Sequence, residues 1–356
     1  MSVREACMTT STAQNPGDGS CSAERDSPTL LERDGVLEIV GTLQLHHGGR
    51  LDSVRVGWRL VGPSNAPVVL ALGGISAHRH VFGASAEEGK SAWWADVVGS
   101  GCALPADQFR ILSFDYLGGS GETTGPEGGR PFPSVSTYDQ ANILLRVLDA
   151  LQIESLHAIV GASYGGMVAL AFAERYPDRV LRLIVISAAD RASPMSTAWR
   201  SVQRRMVRFG IETGRPEKGL ELARALAMAT YRSADEFTKR FAGTPQERDG
   251  RFVFPVEDYL IARGADYARR YQPDSFLTLS ESIDLHRIEV TGVRLPVSAI
   301  AVLEDQLVPV ADMRLMCARL PNAHLHEISS VFGHDAFLKE SEVLRKIFSA
   351  ELPLPS

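Results

Sequence analysis

One stretch, residues 156–167, constrains the fold of this chain more than any other. An apolar run ends there in the pattern Gly-x-Ser-x-Gly, with Ser163 at its centre, and an Ala-rich amphipathic segment follows at 167–175. Strand, sharp turn and helix in this order predict a bend that raises the Ser163 hydroxyl above the sheet edge, at a helix N-terminus that favours negative charge. Small flanking residues allow strand and helix to approach closely. We interpret Ser163 as a nucleophile; the alternative is a glycine-rich turn with an idle serine.

Composition excludes several classes of function. The chain has 356 residues, 44% of them hydrophobic, enough for one large α/β domain with an insertion or for two domains. Its net charge of −6 provides no basic surface for nucleic acid. The four cysteines lie far apart, which favours reduced thiols in the cytoplasm and no metal site. We find neither an 18-residue apolar segment nor an apolar signal-peptide core, so we expect no membrane span and no secretion signal.

The remaining chain alternates between strand and helix patterns. Residues 1–34 are small and polar without periodicity, which predicts a disordered arm, and either Met1 or Met8 could be the start. Residues 36–45 and 51–60 alternate apolar and polar side chains and predict an antiparallel hairpin. Buried strands are predicted at 67–72 and 109–114, and further strands at 181–186, 297–302 and 324–328, with helices at 138–151 and up to about 348.

These patterns predict an α/β fold with a doubly wound, mostly parallel sheet. Between about 192 and 289 the sequence becomes mostly helical, with a loop at 241–255. We interpret 35–191 and 290–356 as two parts of one core and 192–289 as an inserted helical cap over the carboxyl ends of the strands, where ligands bind in such sheets.

A serine nucleophile needs a base, and the base needs an orienting acid. Asp305 follows the strand at 297–302, and His334 lies in the loop after the last strand. For Asp305 the alternatives are a helix N-cap role or replacement by Glu304 as the acid. His157 and His326 lie within strand runs, which is less typical of a catalytic base.

The same chemistry needs two N–H donors for an oxyanion, each worth roughly 3–4 kcal/mol. The backbone N–H of Tyr164 is one candidate, and that of Ile75, after Gly73 and Gly74, is the other. The alternative for the second is an ordinary glycine turn.

Over about residues 36–345 the chain resembles the homoserine O-acyltransferase family, whose members have the α/β-hydrolase fold. Its most specific motifs are Leu-Gly-Gly-Ser at 117–120 with Thr-Gly-Pro at 124–126, Thr-Tyr-Arg-Ser at 230–233 and Gly-His-Asp-Ala-Phe-Leu at 333–338; the elbow, the Trp pair at 93–94 and Val-Gln-Arg at 202–204 also match.

The resemblance implies acyl transfer from acyl-CoA to the side-chain hydroxyl of L-homoserine, in methionine biosynthesis, with Ser163, Asp305 and His334 as the triad. It also implies that Arg232 holds the amino-acid carboxylate and Asp335 the ammonium group. Acyl-CoA would be a co-substrate, no cofactor would be bound, and the enzyme would be a cytoplasmic homodimer. Alternatives are an acetyl donor, L-serine as acceptor, or a serine esterase.

Two departures from the family pattern concern the acyl donor. The loop after the strand at 67–72 contains Arg79, and Trp199-Arg200 stands where the family often has Phe-Asn. An extra arginine suits an acyl chain with a distal carboxylate, so the sequence favours succinyl-CoA, with Arg200, or less favourably Arg79, as its partner.

Overall fold

One nine-stranded sheet organises the part of the chain that the computed structural model describes, residues 2–6, 30–83, 92–119, 121–128 and 130–354. The strands are β1 (Ser2–Ala6), β2 (Leu31–Gln44), β3 (Arg50–Gly62), β4 (Val68–Leu72), β5 (Val98–Gly99), β6 (Leu104–Pro105), β7 (Arg110–Phe114), β8 (Ala158–Ala162), β9 (Leu183–Ile186), β10 (Gln246–Arg248), β11 (Arg251–Val253), β12 (Val297–Val302) and β13 (Ala323–Ile328). The helices are α1 (Thr137–Ala150), α2 (Tyr164–Arg175), α3 (Pro194–Glu212), α4 (Pro216–Tyr231), α5 (Ala234–Arg240), α6 (Pro255–Ala268), α7 (Pro273–Asp284), α8 (Val310–Arg319) and α9 (Ser341–Glu351).

The sheet order is β1-β2-β3-β7-β4-β8-β9-β12-β13. Strands β7, β4, β8, β9, β12 and β13 pair in parallel, and β1, β2 and β3 add an antiparallel edge. Every residue of β4, β8, β9 and β12 is buried, because helices cover both faces of the sheet. One apolar core lies on each face, and the prediction of a doubly wound sheet is confirmed.

The N-terminal segment differs from the expected disordered arm. Residues 2–6 form β1, whose register pairs Ser2 with Glu38 and Ala6 with Asp34. Strand β2 begins at Leu31 rather than near 36, because its backbone pairs with β3 as far as Gly62. The prediction is therefore wrong for these two stretches; residue 1 and residues 7–29, including Met8, lie outside the described residues.

Five helices, α3 to α7, lie between β9 and β12, where the helical cap was predicted. The small hairpin β10–β11 lies inside the stretch predicted as a loop. A Cβ on Gly210 would lie 2.8 Å from the Cα of Gly219, so α3 and α4 cross at glycines. A Cβ on Gly264 would lie 2.4 Å from the Glu221 carbonyl oxygen, which brings α6 equally close to α4. These contacts hold α4 firmly in place. Within the described residues, no helix is long and apolar enough to span a bilayer.

Candidate active site

The bend between β8 and α2 has the strained geometry that the sequence predicted. Ser163 has φ 54° and ψ −123°, a conformation that is costly for a residue with a side chain. A Cβ on Gly161 would lie 2.4 Å from the Gly165 carbonyl oxygen, and one on Gly165 would lie 2.6 Å from the Leu72 carbonyl carbon. Only glycine fits at either position, so the sequence around Ser163 is dictated by this close approach.

The structure brings together the three residues predicted to form a triad. His334 Nε2 lies 2.9 Å from Ser163 Oγ, and His334 Nδ1 lies 2.7 Å from Asp305 Oδ2. The other carboxylate oxygen, Asp305 Oδ1, accepts the backbone N–H groups of Leu307 at 2.8 Å and Val308 at 3.0 Å. These two bonds fix the orientation of the carboxylate, which in turn orients the imidazole. The geometry is that of a nucleophile, its base and an orienting acid.

The other acid and the other histidines considered for the triad have different partners. Glu304 accepts the backbone N–H of Ser330 at 2.8 Å and the hydroxyl of Ser329, so its carboxylate is bound at a neighbouring loop. The His157 ring stacks on Phe109, and His326 contacts Glu351.

The charge of the triad follows from its surroundings. Burial by itself lowers the pKa of His334, but the charge of Asp305 and its hydrogen bond outweigh burial, and the pKa is raised above 6.5. These surroundings would stabilise an imidazolium at this position.

The residues predicted to supply the oxyanion donors, Tyr164 and Ile75, line the same cavity as Ser163. Gly165 N–H donates to the Gly73 carbonyl at 2.8 Å, which ties the loop carrying Ile75 to the start of α2. A Cβ on Gly73 would lie 2.6 Å from the Trp93 ring, so this loop also requires glycine. Ile75 and Tyr164 both border the space in front of Ser163, as an oxyanion site requires.

Two cavities meet at Ser163, and Ile75 and His334 border both. Cavity A extends beneath α3 and contains Ser187, Arg191, Arg200 and Gln203 among its lining residues. Cavity B extends toward α4 and contains Trp93, Arg224, Tyr231 and Asp335. The nucleophile is therefore reached from two sides with different charged groups.

Sequence reasoning missed Arg224, the cation that lines cavity B. Its Cζ lies 5.0 Å from the ring centre of Tyr231 and 4.6 Å from that of Tyr267, both cation–π distances. Arg224 and Tyr231 are seven residues apart, or two turns, and so share one face of α4. This spacing was the signal that could have identified Arg224.

Asp335, which the resemblance predicts to hold the substrate ammonium group, also lines cavity B. Burial raises the pKa of its carboxyl, and the nearby Arg232 and Arg224 only partly offset this effect. It follows His334 directly on a 3-10 turn, Gly333–Leu338. Gly333 has φ 54°, and a Cβ there would lie 2.8 Å from the Tyr231 carbonyl oxygen. The turn therefore presents base and carboxylate side by side.

Arg232, which the resemblance predicts to hold the amino-acid carboxylate, lies next to Asp335, and Asp335 lines cavity B. Arg232 itself lines neither cavity. Its Nε lies 3.2 Å from Asp335 Oδ2, and its Nη1 lies 3.3 Å from Glu236 Oε2. Its guanidinium therefore contacts both Asp335 and Glu236 from the position directly after α4, which ends at Tyr231.

The two arginines proposed for the acyl donor have separate positions. Arg200 lines cavity A and forms an ion pair with Asp284, with Nη2 2.7 Å from Oδ1. Arg79 is buried and contacts three carboxylates, those of Asp34, Asp115 and Glu122. It lines neither cavity, so the interpretation of Arg79 as a donor-binding residue is corrected: it pairs with the buried Asp115 and with the partly exposed Asp34 and Glu122.

Ser187 is a second residue that sequence reasoning missed. It directly follows β9, has φ 48° and is fully buried. Among the described residues its hydroxyl has no hydrogen-bond partner, although it lines cavity A. Strain together with an unpaired buried hydroxyl is typical of functional sites. Its position immediately after a predicted strand was the available signal.

Comparison with known proteins agrees with this geometry. A model of the α/β-hydrolase-fold family matches residues 67–341. A homoserine O-succinyltransferase of Xanthomonas campestris pv. campestris is 42% identical over 331 residues, covering 93% of this chain and 86% of the relative. A homoserine O-acetyltransferase of Clavibacter michiganensis subsp. michiganensis is 31% identical over 91% of this chain and 93% of its own.

Among solved structures, a homoserine O-acetyltransferase from Bacillus anthracis has the same fold, with a TM-score of 0.81 and 21% identity over 91% of this chain and 97% of that one. The two relatives cover 93% and 91% of this chain. The chain therefore belongs to the homoserine O-acyltransferase family of α/β-hydrolase-fold proteins.

Proposed function

We propose that this protein transfers an acyl group, preferentially succinyl, from acyl-CoA to the side-chain hydroxyl of L-homoserine, a step in methionine biosynthesis. The observation that carries the proposal is the triad itself, since Ser163, His334 and Asp305 are within hydrogen-bond distance and open onto a cavity with one cation and one carboxylate. Relatives named as homoserine acyltransferases support the same activity.

Cavity B suits the acceptor because an α-amino acid is a zwitterion at neutral pH. Its carboxylate needs a positive partner, and Arg224 is the arginine that lines this cavity. Its ammonium group needs a negative partner, and Asp335 lies beside His334. Binding at both ends would direct the acceptor hydroxyl toward His334 Nε2. Arg232 contributes indirectly, by orienting Asp335.

The reaction proceeds in two displacements. His334 Nε2 takes the Ser163 proton while Oγ attacks the thioester carbonyl, and the N–H groups of Tyr164 and Ile75 bind the oxyanion. The C–S bond breaks, and His334 returns the proton to the CoA thiolate. The acceptor hydroxyl then gives its proton to His334 and attacks the acyl-serine, and Ser163 leaves with that proton. Helices α3 to α7 limit access of water to the acyl-enzyme.

Charge in cavity A favours a succinyl donor. Arg200 and Arg204 share a single carboxylate, Asp284, at 2.7 Å and 2.6 Å. The two guanidinium groups exceed the one carboxylate by one positive charge on the α3 side of cavity A; Arg191 and Asp312, which carry opposite charges, also line this cavity. A distal carboxylate on the acyl chain would balance that charge, whereas an acetyl group would not.

Thiol release from succinyl-CoA and acetyl-CoA, each with L-homoserine and with L-serine, tests the proposal. We expect the highest rate with succinyl-CoA and L-homoserine. Arg200→Ala should lower kcat/KM for succinyl-CoA at least tenfold and leave kcat/KM for acetyl-CoA unchanged. An unchanged preference for one thioester over the other would contradict the assignment of Arg200 to the succinyl carboxylate. Arg208→Ala, on the solvent side of the same helix, is the matched control. Thioester hydrolysis that added amino acid does not accelerate would identify an esterase instead.

The nucleophile is tested separately. The wild-type protein mixed with succinyl-CoA and no acceptor should gain a succinyl mass, and Ser163→Ala should not. A succinyl mass on the Ser163→Ala variant would falsify the assignment of Ser163 as the nucleophile.

A homodimer formed through the helical insertion is the proposed assembly. Much of the exposed large apolar surface lies there, on Met195, Trp199, Val202, Phe209, Ile211, Leu222, Phe252, Phe254 and Ile261. Light scattering should give twice the chain mass, and Phe209→Asp should give the monomer mass. Because acyl-CoA and free amino acids are cytoplasmic metabolites, the proposed location is the cytoplasm.

A further inference from the structure

A cluster of metal-ligand side chains lies on the surface away from Ser163. It consists of His324 and His326 on β13 and Glu351 at the end of α9, with one ligand atom from each within 4.8 Å of the others. We propose that this cluster is a binding site for a divalent transition-metal ion of the zinc type, which links the C-terminal helix to the edge of the sheet.

The strand supplies the first two ligands. Residues two apart on a strand project from the same face, so the His-x-His pattern places both imidazoles together, with ring centres 4.1 Å apart. Strand β13 ends the sheet, next to β12 only, which leaves this face accessible at the edge. His324 is 66% exposed and His326 19%, so an ion can enter from solvent.

The helix supplies the third ligand and fixes it. His324 Nδ1 and His326 Nε2 each lie 2.9 Å from the same atom, Glu351 Oε1. The other oxygen, Glu351 Oε2, accepts the hydroxyl of Ser298 on β12 at 2.7 Å. A hydrogen bond of this kind, to the carboxylate oxygen that does not bind the metal, orients the ligand and increases metal affinity. The carboxyl end of α9 adds partial negative charge, which also favours a cation.

The geometry requires little adjustment. Zinc bonds to imidazole nitrogen and carboxylate oxygen are about 2.0–2.2 Å, so tetrahedral ligands stand roughly 3.4 Å apart. The two 2.9 Å contacts would therefore open by about half an ångström, and the two imidazole nitrogens, which lie within 4.8 Å of each other, would take up the same spacing through side-chain rotation. Two nitrogens and one carboxylate oxygen suit zinc, cobalt or nickel rather than magnesium or calcium, and water would complete the coordination.

Zinc titration of the chelator-treated full chain tests the site. We expect one zinc ion per chain with micromolar affinity by calorimetry, and a rise in Tm of about 3 °C at saturating zinc. Cobalt(II) should give the visible absorption bands of a tetrahedral site. Ser298→Ala should weaken zinc binding about tenfold, because the carboxylate loses its orienting contact.

The double variant His324→Ala/His326→Ala should lose the bound zinc, the cobalt bands and the zinc-dependent rise in Tm, while its Tm without metal stays within about 1 °C of the wild type. His47→Ala removes an exposed histidine from the turn between β2 and β3, outside the cluster, and should retain all three signals. Equal zinc uptake by the double variant and the wild type, or no uptake by the wild type at 100 micromolar zinc, overturns the proposal.

Discussion

Replacing Asp305 by Asn tests how the triad is oriented. In the native protein Asp305 Oδ1 is held by two backbone N–H donors, Leu307 and Val308, while Oδ2 faces His334 Nδ1. An amide must keep its oxygen toward the two N–H groups, because the reverse orientation would set NH₂ against two donors. Its NH₂ group then points at His334 Nδ1 and donates to it.

This contact would force the wrong tautomer on the base. With Nδ1 accepting a hydrogen bond from the amide, the imidazole carries its own proton on Nε2, which lies 2.9 Å from Ser163 Oγ. A protonated Nε2 cannot accept the serine proton. We expect kcat to fall about 10⁴-fold, equivalent to about 5.5 kcal/mol, with little change in the fold.

The assay is thiol release from succinyl-CoA with saturating L-homoserine, with thermal unfolding measured in parallel. Glu304→Gln is the matched control: its carboxylate contacts Ser329 and Ser330, so kcat should change less than threefold. A less than tenfold loss for Asp305→Asn, in a variant that is folded, would refute the tautomer reasoning.

Three further predictions follow from the same site. Arg224→Ala should lower kcat/KM for L-homoserine roughly 100-fold, about 3 kcal/mol, while acyl-enzyme still forms from acyl-CoA alone; equal loss of both steps would contradict an acceptor role. The rate should fall as pH decreases through the raised pKa of His334, above 6.5, because the protonated ring is no longer a base; a pH–rate profile flat from 8 to 6 would be inconsistent with this. Ser187→Ala removes an unpaired buried hydroxyl and should raise the free energy of unfolding in urea by about 1 kcal/mol, yet weaken use of acyl-CoA about tenfold; a loss of stability would show that the hydroxyl has a structural partner.

The core of the site was predictable because its signals are local. The bend at Ser163 needs glycines at fixed positions, since a Cβ at Gly161 or Gly165 would collide with backbone. Asp305 follows the buried strand β12 and His334 follows the edge strand β13, and the carboxyl ends of parallel strands meet at one edge of a sheet. Periodicity and turn chemistry act over a few residues, so the sequence determined the sheet, the elbow and the three triad residues.

The roles of the arginines were decided only by the tertiary structure. Arg79, Arg200, Arg224 and Arg232 have the same side chain, and no short pattern states which of them reaches a cavity. Arg224 reaches cavity B because glycine contacts hold α4 against α3 and α6. Arg232 lies just beyond the end of α4 and contacts Asp335. Arg79 is instead surrounded by three acids from distant segments. The direction of a long, flexible arginine side chain depends on which carboxylates and aromatic rings the fold brings near it. Because those partners lie far away in the chain, only the tertiary structure determines that direction.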